Sequence, residues 1–378
     1  MKRIMLFARD PGGANTIIPL IAPLKQKGYK VHLYGKDAAL TRYTYFGLSG
    51  RDISACVASI DGEHIKEFLK NLSPDFIISG TSGDDFTERY LWQAADQLGI
   101  KSFAILDSWM NYGIRFSPYR LSEWTLYEKN KIHPYLPYKV LVMDNYALQE
   151  TIKEGINASR LLVSGQPYFE FIKAQKDLFG NETVKQFRQK VAGEPADIVI
   201  VYVSEPIIKC YGDYKNNQWG YDEKIILDHL INSLEKVLPY RKKISLWIKQ
   251  HPLEEQGNHN DAVERLENSR IKARIIKHED PRLIILASDL VCGMSSMLLL
   301  ESIIMQKPTI SIQIGLKQEN PLVLARRGII KTVLGQDQLI NILHRTLVEK
   351  DNYSVDWQIE DGAKERIINY MEELLCHN

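Results

Sequence analysis

The chain alternates short apolar runs with helix-like segments, and this alternation limits its possible folds more than any other feature. Arg3–Ala8, Tyr29–Tyr34, Phe76–Ser79, Ser102–Leu106, Lys139–Met143 and Leu161–Ser164 are strand-like, and several end in loops of Gly, Asp, Ser or Asn. Short apolar runs bounded by turn residues and separated by helical stretches predict parallel strands buried on both faces. The pattern resumes with Asp197–Val203, Ile244–Lys249, Leu290–Cys292 and a run ending at Ile312, with Glu223–Leu234 reading as a packing helix. The predicted class is α/β, in two domains each built on a parallel sheet. A length of 378 residues exceeds one ordinary core. The expected parts are a first domain over 1–170, a polar connection over 171–195, a second domain over 196–350 and a C-terminal helical segment over 351–378.

Charge and cysteine usage narrow the function classes. Lys+Arg 48 against Asp+Glu 47 leaves a net charge of +1, which gives no bulk attraction to a polyanion. Nucleic acid is therefore not an expected partner. Cys56, Cys210, Cys292 and Cys376 form no C-x-x-C pair and no disulfide framework. The dispersed histidines show no H-E-x-x-H or H-x-x-x-H spacing, so no metal is expected. The chain opens directly on a strand with no signal-peptide pattern, and no apolar run reaches transmembrane length. The expected location is the cytoplasm.

Two segments of the second half carry chemistry. In Ser288-Asp-Leu-Val-Cys-Gly-Met-Ser-Ser-Met-Leu-Leu-Leu-Glu301 a strand runs through Gly293 into a helix opened by Ser295-Ser296. Free N–H groups and the positive dipole end of a helix start suit an anion, with Met294 and Met297 flanking the serines. One serine can instead serve as the cap. Lys249-Gln-His251-Pro252 ends another strand, and parallel strands present their C-terminal loops on one edge. Lys249 and His251 are thus expected on the same rim as the Gly293–Ser296 turn. Ser204 and Glu205 end the first strand of this domain.

In the first half, Asp10-Pro-Gly12-Gly13-Ala-Asn15 follows the opening strand, without the G-x-G-x-x-G of a dinucleotide site. The two glycines are expected to allow positive φ and a close ligand approach. Asp107-Ser-Trp109-Met-Asn111-Tyr112-Gly-Ile-Arg115 follows a later strand, a dense set of donors, acceptors and aromatic faces of the kind that holds sugars. Asp84 with Glu88 forms a weaker parallel. Asp10 and Asp107 are the rival candidates for a general base, since each ends a strand. Either carboxylate can equally brace a loop or cap a helix.

His251-Pro252, the stretch Ala287–Glu301 and Gln306-Lys-Pro-Thr-Ile310 together resemble glycosyltransferases of the GT-B architecture, particularly those that build bacterial surface polysaccharides. The resemblance covers the second half strongly and the first half only in pattern. It implies two Rossmann-like domains facing a central cleft, a C-terminal helix crossing back to the first domain, and donor phosphates held at His251 and at the helix start. Ser204 and Glu205 would lie beside those phosphates, and Glu301 matches the acidic residue that contacts the donor. Gly12, Gly13, Asn15, Trp109, Asn111, Tyr112 and Arg115 would line the acceptor side. The same motifs recur in UDP-N-acetylglucosamine 2-epimerases, which share the fold.

The expectation from these residues is a glycosyltransferase moving a sugar from a phosphate-activated donor to a saccharide acceptor. A lipid-linked acceptor would bring the protein to a membrane surface. No cofactor is expected, although Mg²⁺ would accompany phosphoribosyl pyrophosphate if that were the donor. A 2-epimerase-like enzyme is the alternative, and a non-catalytic sugar-nucleotide binding protein is another.

Overall fold

The computed structural model describes residues 1–193, 195–237, 242–350, 357 and 359–376. The chain divides into two compact units, Met1–Phe171 with Ile359–Asn378, and Ile172–Gln358.

The first unit holds seven strands: β1 (Arg3–Ala8), β2 (Lys30–Gly35), β3 (Arg51–Asp52), β4 (Phe76–Ser79), β5 (Ser102–Ile105), β6 (Lys139–Val142) and β7 (Leu161–Val163). All pair in parallel, in the order β3-β2-β1-β4-β5-β6-β7. β1 shows why its sequence is apolar throughout. Ile4, Leu6 and Ala8 join Ile17, Leu20 and Leu24 of the helix Pro11–Gln26 in one cluster, while Met5 and Phe7 join Ile65, Leu69 and Leu91 in another. Successive side chains point to opposite faces, so a strand covered on both faces needs apolar residues at every position. The C-terminal helix Ala363–Cys376 belongs to this unit, placing Ile367, Ile368 and Met371 in the first cluster. Tyr370 stacks on Phe103 of β5 at 5.6 Å between ring centroids.

The second unit holds β8 (Ile198–Val203), β9 (Ile244–Lys249), β10 (Ile271–Ile276), β11 (Leu290–Gly293), β12 (Thr309–Ile312) and β13 (Thr332–Val333), in the order β10-β9-β8-β11-β12-β13. Its strands are likewise parallel. The stretch 171–195, expected as a connection, carries the end of the helix Pro167–Leu178 and the helix Asn181–Ala192. The latter is tied into the second unit by Arg188, which donates to the Ala287 carbonyl and pairs with Asp289 at 2.8 Å.

Strands β3, β10 and β13 are not anticipated by the apolar runs. β10 reads Ile-Lys-Ala-Arg-Ile-Ile and lies at a sheet edge, with Lys272 and Arg274 exposed. In each sheet the winding reverses beside the first strand, between β1 and β4 and between β8 and β11. In doubly wound sheets the loops at such a reversal form the ligand-binding edge.

Candidate functional site: two strand-end edges

In the second unit, Gly293 ends β11 where β8 passes close by. A Cβ at Gly293 would lie 3.0 Å from the Val203 carbonyl oxygen and 3.3 Å from Leu299 Cδ2. The glycine therefore serves the approach of strand and helix, and its φ is not in the left-handed region. The helix runs Met297–Ile304 with Ser296 as its cap, Ser296 Oγ accepting from Leu298 N. The donors ahead of it are already engaged. Glu205 Oε1 accepts from Ser295 N at 2.6 Å and Ser296 N at 2.9 Å, and its Oε2 accepts from Ser295 Oγ at 2.6 Å. Burial raises the Glu205 pKa, and these hydrogen bonds pull against it. Met294 is buried and its carbonyl accepts from Ser311 Oγ and Gln313 Nε2. Met297 is exposed, and Glu301 is buried within the helix.

Beyond β9, His251 N donates to Glu254 Oε2. Glu254 Oε1 accepts from Ser204 Oγ at 2.6 Å and lies 3.0 Å from His259 Nε2. Burial alone would raise the Glu254 pKa, but the hydrogen bonds from His259, Ser204 and His251 outweigh it and lower the value. His251 Nδ1 accepts from Leu253 N, which leaves the proton of the neutral ring on Nε2 as a donor. Burial lowers the His251 pKa and so favours this neutral form. Lys249, its pKa also lowered by burial, donates Nζ to the Lys277 carbonyl on the β10 side. Ser204, Glu205, His251 and the 293–296 turn thus share one edge, where Glu254 and His259 tie Ser204 to His251 and Glu205 ties in the turn. Sequence reading missed both of these, because nothing in the spacing announces that residues 254 and 259 return to Ser204.

In the first unit, Asp107 follows β5 and pairs with Arg115, Oδ1 lying 2.6 Å from Nη1. The guanidinium also donates to Thr81 Oγ1, Ser108 Oγ and the Asn111 carbonyl. Its 7% exposure makes it the buried centre of the loop. Asp107 Oδ2 lies against Gly12: a Cβ there would fall 1.8 Å from it. Gly13 meets Gly80 in the same way, since a Cβ on Gly80 would come within 2.4 Å of Gly13 Cα. Neither Gly12 nor Gly13 has positive φ. The expected backbone freedom is corrected to close packing of three strand-end loops.

Asp10 pairs with Arg9 at 2.6 Å, Arg9 reaches Asp37 at 2.9 Å, and Lys36 pairs with Asp85 at 2.6 Å. Asn15 accepts from Arg42 Nε. Glu88 lies beneath this surface at 1% exposure, with Oε1 accepting from Arg9 N and Oε2 unpartnered among the described residues. Burial, reinforced by Asp85 and Asp10, pushes its pKa up to about 8. Trp109 and Tyr112 are only 4% exposed. Trp109 stacks on Phe169 and donates to Asp144, so these rings are packing rather than open faces for a sugar. Asn111 takes positive φ (55°), which turns the chain so that its carbonyl meets Arg115. Among the described residues, no group of three or more His, Cys, Asp or Glu converges as a metal site, and no helix is long and apolar enough to cross a membrane.

No family model matches the chain, and no curated protein matches it. Among solved structures it is similar to the UDP-GlcNAc 2-epimerase of Methanocaldococcus jannaschii, with a TM-score of 0.70 and 16% identity over 98% of this chain and 99% of that one. It is also similar to the UDP-GlcNAc 2-epimerase of Neisseria meningitidis bound to UDP-GlcNAc, with a TM-score of 0.68 and 14% identity over 99% and 100%. A MurG from Acinetobacter baumannii follows at 0.58 and 12%, over 99% and 100%. The fold is the GT-B-like one, two Rossmann-like units with parallel sheets. The glycosyltransferase expected from the sequence is corrected at this point: many of the resembling structures are UDP-GlcNAc 2-epimerases, which favour the alternative reading. The motifs shared by the two groups belong to the fold and could not separate them.

Proposed function

We propose that the protein is a sugar-nucleotide enzyme of the 2-epimerase kind, acting on the sugar of a UDP-activated N-acetylhexosamine with no acceptor. The similarity to 2-epimerases over nearly the whole of both chains supports this reading, and the observation that carries it to chemistry is the Asp107–Arg115 pair. Arg115 takes Oδ1, while Oδ2 accepts no hydrogen bond among the described residues and lies against Gly12, which follows β1 at the reversal of the first sheet. A carboxylate held this way is oriented through one oxygen and presents the other to a proton.

The chemistry asks for more than one carboxylate. The C2–H bond of such a sugar is not acidic, because C1 is an acetal carbon. Its proton leaves together with the C1–O bond: a base takes the proton, the electron pair forms the C1–C2 double bond, and UDP departs with the C1 oxygen. Addition of UDP to C1 and of a proton to the opposite face of C2 restores the sugar with C2 inverted. In this scheme Asp107 is one acid–base group and Asp10, paired with Arg9, the other.

The test is UDP-GlcNAc in D₂O followed by proton NMR. The expected result is deuterium at C2 with a second UDP-N-acetylhexosamine accumulating, and its loss in Asp107→Asn by about 10²-fold or more. Absence of C2 exchange at saturating UDP-GlcNAc would overturn the reading.

A further inference from the structure

The anion position at the start of the helix Met297–Ile304 already contains an anion. Two backbone N–H groups and one hydroxyl converge on the Glu205 carboxylate at 2.6, 2.9 and 2.6 Å, engaging both of its oxygens. Glu205 comes from the end of β8, directly across the sheet reversal from β11. No cation pairs with it among the described residues. Pro206 follows it and the short helix Ile207–Tyr211 begins at once, so the backbone carrying the carboxylate is anchored on both sides. The cluster around it adds negative charge: Glu223 and Glu254 lie on the same strand-end edge, held by Asn258, Ile208 N, Ser204 and His259 rather than by Lys or Arg.

We propose that Glu205 is a specificity-determining residue that takes the phosphate position at Ser295–Ser296 for itself, so that the phosphates of the ligand are received elsewhere on the edge. This rests on the sugar-nucleotide reading above. A phosphate brought to the same N–H groups would meet a carboxylate within contact distance, one that no cation pairs with among the described residues. The two anions compete for one set of donors, and the resident one is tethered, so it forms its hydrogen bonds without the entropy loss of association. Removing it should therefore turn a closed position into an open anion site, since the helix start and the hydroxyl that bind the carboxylate remain in place.

The experiment titrates the full chain with inorganic pyrophosphate by calorimetry, in wild type, Glu205→Ala and Glu205→Ala/Ser295→Ala. The expected result is a gain in pyrophosphate affinity of about 10-fold or more in Glu205→Ala, given back in part by the double variant. Unchanged or weaker binding in Glu205→Ala overturns the proposal. Should that variant fail to fold, Glu205→Gln keeps the shape and removes the charge, and a gain of a few-fold is expected. The absence of any gain in it overturns the proposal equally. Amide resonances of Ser295 and Ser296 in the wild type provide a direct control: they should stay unmoved by pyrophosphate, and a saturable shift at both would show the position open. A parallel titration with UDP-GlcNAc separates the two readings. Failure of the wild type to bind it removes the sugar-nucleotide reading, while the pyrophosphate comparison still decides the role of Glu205.

Discussion

The two strand-end edges hold their carboxylates by opposite means. In the first unit four carboxylates meet a cation: Asp10 and Asp37 meet Arg9, Asp85 meets Lys36, and Asp107 meets Arg115. In the second, Glu205, Glu223 and Glu254 rest on backbone N–H groups, hydroxyls, an amide and a histidine. Ion pairs leave one oxygen of a carboxylate available for chemistry, as at Asp107. Fixed dipoles instead saturate the carboxylate and make it part of the framework. On the proposed reading, the first edge serves proton transfer and the second shape and charge selection.

The largest effect expected from this contrast is at Arg115. Arg115→Ala leaves Asp107 and the Thr81 hydroxyl without their shared partner in a largely buried loop, a change that typically costs about 3–5 kcal/mol. Urea unfolding followed by Trp fluorescence would measure it, and a cost under one-third of that range would place Asp107 among ordinary surface carboxylates. Arg115→Lys should recover little, because a single ammonium cannot reach Thr81, Asp107, Ser108 and Asn111 together.

Glu88 gives the next effect, one that depends on pH. Its folded pKa of about 8 exceeds the ordinary value of 4.5, so the folded protein holds a proton that the unfolded chain releases. Stability should therefore fall as pH rises from near the unfolded value, and level off once pH passes the folded one. Glu88→Gln stays neutral and should flatten this slope, gaining on the order of a few kcal/mol over wild type near pH 8. Parallel thermal melts between pH 5 and 9 would show the two curves diverging. Curves that stay parallel would mean that Glu88 is ionised in the fold.

Gly12→Ala tests the packing of the first edge. A Cβ 1.8 Å from Asp107 Oδ2 forces that carboxylate off its position, at a cost of about 1–3 kcal/mol. C2 exchange should fall further than stability does. Loss of stability with full exchange would remove Asp107 from the chemistry. The smallest effect is expected in the second unit at Ser296→Ala, which deletes the cap on Leu298 N and should cost about 1 kcal/mol in the same unfolding assay. A larger loss would show that the Ser296 hydroxyl does more than cap the helix.

The sequence by itself determined the layered architecture, because strands covered on both faces must be apolar at successive positions, as Ile4–Ala8 and Ile198–Val203 are. It also located the strand-end loops holding Asp10, Asp107, His251 and Ser295, since Gly, Asp and Ser mark where such strands stop. It did not reveal β10, whose exposed Lys272 and Arg274 interrupt the apolar run at the sheet edge. Nor did it reveal the partners. Ser295 is 90 residues from Glu205, Ser204 is 55 from His259 and Asp107 is 95 from Gly12, separations across which neither periodicity nor local motif carries information. Only the tertiary structure decided that the predicted anion position is filled by a carboxylate and that the glycines exist for packing. Those facts follow from which strand ends are neighbours in the sheet, and strand order is set by the packing of the whole unit rather than by any one segment.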